Sequence, residues 1–145
     1  MTTDNIKFHK NQDSTFHISK AKRNERFYRK HDLDKSTFNE WAVVTLFYSS
    51  LHYIDAVLSL DTTLPNKLRD PDRHEYRKQA ISQCKSLLPI AREYFELSDR
   101  SREARYNQTS FREGILNDIK TNLFEPIQNH VRKHLGISLE AESSF

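Results

Sequence analysis

The longest mainly apolar run in the chain is WAVVTLFYSSLHYIDAVLSL, residues 41–60. Its apolar residues recur at three- and four-residue spacing, and others fall on most remaining faces, as expected of a helix surrounded by neighbours. Ser49, Ser50, His52 and Asp55 interrupt the run. These polar residues would be costly in lipid but fit a helix inside a soluble bundle, so we expect no membrane span.

Helical periodicity continues on both sides of this run. Only 2 Gly and 4 Pro occur in 145 residues, too few for the tight turns of an all-β fold. The sequence predicts an all-α bundle of four main helices in a single domain, over residues 14–31, 36–60, 70–98 and 110–135.

Helix-capping residues, prolines and a glycine set the predicted helix boundaries. Asp70 and Pro71 suit the start of the third helix, Pro89 and Pro126 predict kinks, and Gly136 predicts the end of the fourth. The stretches 61–69 and 99–110 are predicted connections, and 1–13 and 137–145 are predicted loose termini. The polar amino-terminal stretch and the lone cysteine, Cys84, favour a cytoplasmic location.

Positive charge is concentrated locally, although the formal net charge is only +3. Residues 20–31 carry six Lys or Arg against one acid, and Arg100, Arg102 and Arg105 form a second cluster. Both clusters suit phosphate contact, but a solvated helix face gives the same pattern.

Several site classes are excluded or disfavoured. Two isolated glycines, Gly114 and Gly136, provide no phosphate-cradling loop, so P-loop and dinucleotide-binding sites are excluded. His130 and His134 share a helix face at i, i+4 spacing, but no third ligand lies nearby in sequence. We therefore predict no metal site and no cofactor.

WAVVTLFYSSLHYIDAVL, RHEYRKQAI and LSDRSREARYN, in that order along the chain, resemble small prokaryotic members of the HEPN (higher eukaryotes and prokaryotes nucleotide-binding) superfamily. The resemblance covers roughly residues 24–111. It implies a bundle of four or five helices that commonly dimerises. It also implies either metal-independent ribonuclease activity in toxin–antitoxin and antiviral systems or a non-catalytic binding or scaffolding role.

The superfamily signature is Arg, four to six residues, then His, near the start of the last main helix. Residues 100–107 supply three arginines and no histidine, with Tyr106 or Asn107 where the histidine is expected. Literal matches occur at 69–74 and at 26–31, although short matches arise by chance in a chain rich in Arg and His.

Metal-free RNA cleavage needs a general base, a general acid and cations around the phosphate. His74 is predicted in the first turn of the third helix, with Arg69 and Arg73 before it as phosphate ligands and Arg77 one turn on, where we expect an accessible clamp. The alternative is an exposed histidine beside ordinary ion pairs.

Two further groups are candidates. His52 lies in the central helix with Asp55 placed to orient and charge it, although a histidine there is more often a core residue. Arg105 and Tyr106 are candidate catalytic residues and Arg102 a phosphate ligand; the alternative is salt bridging at a helix end.

The leading hypothesis is a metal-independent endoribonuclease that cleaves RNA by 2′-hydroxyl attack in a toxin–antitoxin or antiphage system. The alternative is a non-catalytic module that binds nucleic acid, nucleotide or a protein; a plain helical interaction domain also remains open. Expected partners are RNA, a second copy of the chain, and an antitoxin or defence-complex protein. The apolar central helix, with the third, is the expected dimer interface.

Overall fold

The computed structural model describes residues 14–35, 39–106 and 111–137. Within these ranges all regular secondary structure is helical and no strand occurs, which confirms the all-α prediction. The helices are α1 Ser14–Lys30, α2 Asn39–Leu60, α3 Asn66–Arg69, α4 His74–Gln83, α5 Ala91–Tyr106, α6 Glu113–Ile119 and α7 Glu125–Leu135. Short 3₁₀ segments span Leu33–Lys35 and Lys85–Ile90, and a π-helical turn spans Lys120–Phe124.

Helix α2 is the core helix of the bundle, with α1, α5 and α7 packed against it. It is the one helix in the described ranges long and apolar enough to span a membrane, but 78% of that window is buried inside the protein, as in a core helix of a soluble protein. Its buried serines are satisfied by backbone: Ser49 Oγ donates to the Ala21 carbonyl (2.9 Å) and Ser50 Oγ to the Phe47 carbonyl (2.7 Å).

The prediction of the third helix is wrong in two respects: the helix begins later, and it is broken into two helices. It begins at His74 instead of Asp70, and Arg77 Nη2 donates to the Pro71 carbonyl (2.9 Å), a bond that ties the segment before α4 to the helix. Pro89 lies in the 3₁₀ segment that separates α4 from α5, so it accompanies a break instead of a kink. The predicted loop 61–69 contains the one-turn helix α3, anchored by buried Leu68.

The predicted connection from residue 99 is also wrong, because α5 continues to Tyr106. Its buried side in this part is made of small residues, Ser101 and Ala104, which follow Leu97 at helical spacing. On the outer side Arg102 pairs with Asp99 at i, i+3 spacing (3.1 Å). The arginines expected in a loop are therefore held on the last turns of a helix.

The carboxyl-terminal helical run ends where the sequence predicted. Gly136 has φ 71°, a left-handed conformation that favours glycine, and ends α7. A π turn, Lys120–Phe124, lies directly before α7, and Pro126 lies in the first turn of α7; the kink predicted there stays a prediction. The predicted helix starts near residues 36 and 110, and the predicted loose termini except Ile137, lie outside the described residues.

One polar network crosses the core between α1, α2 and α7. Glu25 and Arg132 are each 1% exposed, and Arg132 Nη2 donates to Glu25 Oε1 (3.0 Å). The Tyr53 hydroxyl donates to Glu25 and accepts from Arg132 Nη2 (2.9 Å), while Gln128 Nε2 donates to Glu25 (2.8 Å). The buried charges are thus paired and hydrogen-bonded, as burial requires.

Candidate functional site

The start of α4 and the end of α5 each place a side chain near the ring of Phe47 on α2. The His74 ring centroid lies 6.3 Å from the Phe47 centroid, and the Arg105 guanidinium lies 5.8 Å from the same point. Arg105 Nη1 donates to the Tyr48 hydroxyl (2.7 Å), and its guanidinium is 5.2 Å from the Tyr106 ring centroid. We call His74, Arg102, Arg105 and Tyr106 the arginine–histidine site.

Electrostatics at this site favour a neutral imidazole. Partial burial lowers the pKa of His74 below its ordinary value of 6.5, and the positive charges of Arg77, Arg105 and Arg102 lower it further. His74 is nevertheless exposed. At neutral pH its ring is therefore uncharged, reachable from solvent and able to accept a proton.

Arg77 does not lie where the sequence predicted. It is 7% exposed, and its Nε and Nη2 donate to the two carboxylate oxygens of Asp55 (2.8 and 3.0 Å). The prediction of an accessible clamp is therefore wrong. An aspartate in an apolar helix needs a partner of opposite charge, so Asp55 was a signal from which this pair could have been predicted. Arg77 positions the turn that leads into His74.

His52 is half-buried on α2, beside a histidine that sequence reasoning did not single out. The ring centroids of His52 and His17 are 5.9 Å apart and nearly parallel, at 25°. Burial lowers the pKa of His52 to about 4 and outweighs the opposing effect of Asp55; His17, Lys20 and Arg77 lower it further. The expectation that Asp55 charges this imidazole is therefore wrong.

Arg69 and Arg73 have different environments. Arg69 is half-buried and its Nη2 donates to the Ser59 carbonyl (3.0 Å), which ties α3 to the end of α2. Arg73 is exposed, with its guanidinium 5.3 Å from the Tyr76 ring centroid and a long contact to Glu75 (3.9 Å). Of the two, Arg73 is placed to meet a ligand from solvent.

Arg102 and Tyr106 complete the accessible edge of the site. The Arg102–Asp99 pair is exposed on both sides, so it contributes little stability and can be exchanged for a phosphate contact. Tyr106 is 71% exposed. Asn107, the other residue at the signature position, lies outside the described residues.

The basic run 20–31 forms a mixed surface. Glu25 and Tyr28 within it are buried, whereas Arg23, Arg26 and Lys30 are exposed. Arg26 and His31, the ends of one literal signature match, are both exposed, and His31 packs on the Phe27 ring (4.5 Å between centroids). This run is separate in sequence from the arginine–histidine site and has the exposure pattern of an amphipathic helix.

Two clusters contain metal-ligating side chains. The His130 and His134 rings are stacked (6.4 Å between centroids), and His130 Nε2 hydrogen-bonds to the Ser86 carbonyl (2.6 Å). In the part of the chain that the structure describes, three such residues converge in one place: the donor atoms of His17, His52 and Asp55 all lie within 4.8 Å of one another.

The fold and the site define an all-α protein with a cationic surface site built around a neutral imidazole. Comparison with protein-family models, with curated proteins and with solved structures gives no match to this chain.

Proposed function

We propose that the protein is a metal-independent endoribonuclease with a HEPN-like bundle of four main helices, acting in a toxin–antitoxin or antiphage system. The observation that carries the proposal is the exposed imidazole of His74, which lies near the Phe47 ring that Arg105 also contacts, and whose pKa is lowered by partial burial and by Arg77, Arg105 and Arg102. A neutral base beside fixed cations is what 2′-hydroxyl attack on a phosphodiester requires.

The reaction assigns one task to each group. His74 takes the proton from the 2′-hydroxyl, the 2′-oxygen bonds to phosphorus, and the bond from phosphorus to the 5′-oxygen breaks. The leaving 5′-oxygen takes a proton from the Tyr106 hydroxyl or from water. The products are a 2′,3′-cyclic phosphate and a 5′-hydroxyl.

Arg105 and Arg102 bind the phosphate oxygens in this scheme. Arg105 is held by the Tyr48 hydroxyl (2.7 Å) and lies against aromatic rings, so its guanidinium is oriented before the ligand arrives. Arg77 acts through the turn before α4 and touches no substrate. Tyr106, exposed beside Arg105, also offers a stacking face for a base.

A non-catalytic RNA-binding module is the second candidate. Among the described residues, one imidazole lies at the arginine–histidine site, so no second histidine there serves as general acid. That observation favours binding without cleavage unless Tyr106 or a second protomer supplies the proton.

The proposed homodimer rests on the resemblance and no longer on the apolar character of α2. The bundle itself covers most of that helix, with Trp41 and Leu60 near its two ends exposed. Light scattering at micromolar concentration tests the dimer. The proposed antitoxin or defence-complex partner is sought by copurification.

The decisive experiment incubates the purified chain with end-labelled RNA in EDTA. We expect cleavage with cyclic-phosphate ends, and a loss of about 10²–10⁴-fold in His74→Gln. His134→Gln is the matched control, because His134 is an exposed histidine on α7. Binding without cleavage, falling steeply as salt rises and lost in Arg105→Gln, supports the second candidate. If the wild type neither binds nor cleaves RNA, both are wrong.

A further inference from the structure

Two helices bring three metal-ligand side chains together in one cluster. His52 and Asp55 share one face of α2 at i, i+3 spacing, and His17 faces them from α1. The nearby bond from Ser49 Oγ to the Ala21 carbonyl fixes the two helices together (2.9 Å, buried). Because both helices are anchored in the core, the donor atoms are held on rigid backbone.

The donor atoms are close and chemically suited to one ion. All three residues present donors within 4.8 Å of one another. In a tetrahedral zinc site, bond lengths of about 2.0–2.2 Å place ligand atoms about 3.3 Å apart, and donors within 4.8 Å of one another are close to that separation.

One donor lacks the hydrogen bond that its burial demands. His52 Nδ1 is buried and has no hydrogen-bond partner. An unsatisfied buried polar atom is costly, and a native structure retains one where it has a use. The neutral imidazole is the form that binds metal ions.

The surrounding charges accommodate a cation. Asp55 accepts two hydrogen bonds from Arg77, yet each carboxylate oxygen has a second lone pair. Around the cluster, Asp55 and Asp70 face Arg77 and Lys20, so the acids already offset the bases. These two acids and two bases sum to zero charge, so a divalent ion that binds here does not enter a site that is already positive.

We propose that His17, His52 and Asp55 bind a divalent transition-metal ion of the zinc type. Two imidazoles and one carboxylate suit Zn²⁺ or Co²⁺ better than Mg²⁺ or Ca²⁺, which prefer oxygen ligands. The ion joins α1 to α2 and holds Asp55, and through it Arg77. The site is structural, does not rest on the proposed nuclease activity, and leaves cleavage in EDTA possible.

The test titrates Zn²⁺, and Co²⁺ as a spectroscopic probe, into the untagged, EDTA-stripped full chain. We expect one ion per chain, a rise in melting temperature with Zn²⁺, and affinity at least about tenfold lower in His52→Gln and in His17→Gln. His134→Gln is the matched control, because it removes the competing histidine pair, and its affinity should stay at the wild-type value.

A folding defect in the variants does not remove the test, because Zn²⁺ added to the wild type should shift the imidazole NMR signals of His17 and His52 and leave those of His130 and His134 in place. The proposal is overturned if the wild type binds no Zn²⁺. It is overturned equally if binding is lost in His134→Gln but kept in His52→Gln. Neither result bears on RNA cleavage, which is measured in EDTA.

Discussion

Two buried ion pairs join helices in this protein, and their surroundings differ. We call Glu25–Arg132 the closed pair, because protein surrounds it. The carboxylate also accepts hydrogen bonds from Tyr53 and Gln128, and both charged residues are 1% exposed. We call Asp55–Arg77 the open pair, because its neighbours reach towards solvent. Asp55 lies beside the half-buried His52, and Arg77 bonds to the segment that precedes the exposed His74.

The comparison shows that a buried ion pair is not in itself a mark of function. Both pairs satisfy the same physical demand, that a charge removed from water be matched by an opposite charge and hydrogen bonds. Only the pair at Asp55 connects to titratable side chains that reach solvent. The side chains next to an ion pair therefore distinguish a structural pair from one that positions a site.

The largest expected effect is on stability when the closed pair is broken. Arg132→Ala leaves the Glu25 carboxylate buried without its cation and should lower the free energy of unfolding by about 3–5 kcal/mol. Urea unfolding followed by circular dichroism measures it. Lys133→Ala, at an exposed neighbouring position, should change stability by less than about 0.5 kcal/mol.

A double change sharpens this result. Glu25→Leu with Arg132→Met removes both charges, so it should be more stable than Arg132→Ala alone. A double variant as unstable as the single one would show that the cost comes from lost packing and not from the unpaired carboxylate.

A smaller loss is expected at the open pair. Arg77→Lys keeps the positive charge but loses the fork that spans both Asp55 oxygens and the bond to the Pro71 carbonyl, so stability should fall by about 1–3 kcal/mol. Arg73→Lys is the control on the exposed side of the same turn. Equal stability of the two variants would contradict a positioning role for Arg77.

The smallest effect concerns the protonation of His74. Partial burial first, and then Arg77, Arg105 and Arg102, lower the pKa of His74 below 6.5, so this base should lose its proton, and cleavage should rise, at lower pH than for a free histidine. Arg105→Gln removes one of those charges and should move the His74 titration to higher pH, as followed by NMR. If the pKa of His74 were the same in this variant, Arg105 would be too far away to act on the imidazole.

The sequence predicted the core and the helical class because α2 repeats apolar residues at helical spacing. The prediction failed where residues other than large apolar ones form the buried side of a helix or lie at its start. Ser101 and Ala104 continue the buried side of α5 with small side chains, so the end of that helix was mistaken for a connection. The start of α4 was misplaced by four residues, since Asp70 and Pro71 have the local pattern of a helix start but lie before it, where Pro71 accepts a bond from Arg77.

The candidate site was predicted in composition and only partly in geometry. His74 and Arg105 were predicted as members of separate candidate groups, and both lie near the Phe47 ring, with Tyr106 beside Arg105. His17 was not found, because a lone histidine in a basic amphipathic helix carries no local pattern that distinguishes it. Only the packing of α1 on α2 places it beside His52.

Trp41, the sole tryptophan of the chain, is 59% exposed near the beginning of α2. Its indole already meets water in the folded protein, so its fluorescence should change little on unfolding. The same exposure makes it a sensitive reporter of association. A shift of its emission to shorter wavelength with rising protein concentration, or on addition of RNA, would show that a second molecule covers this end of α2.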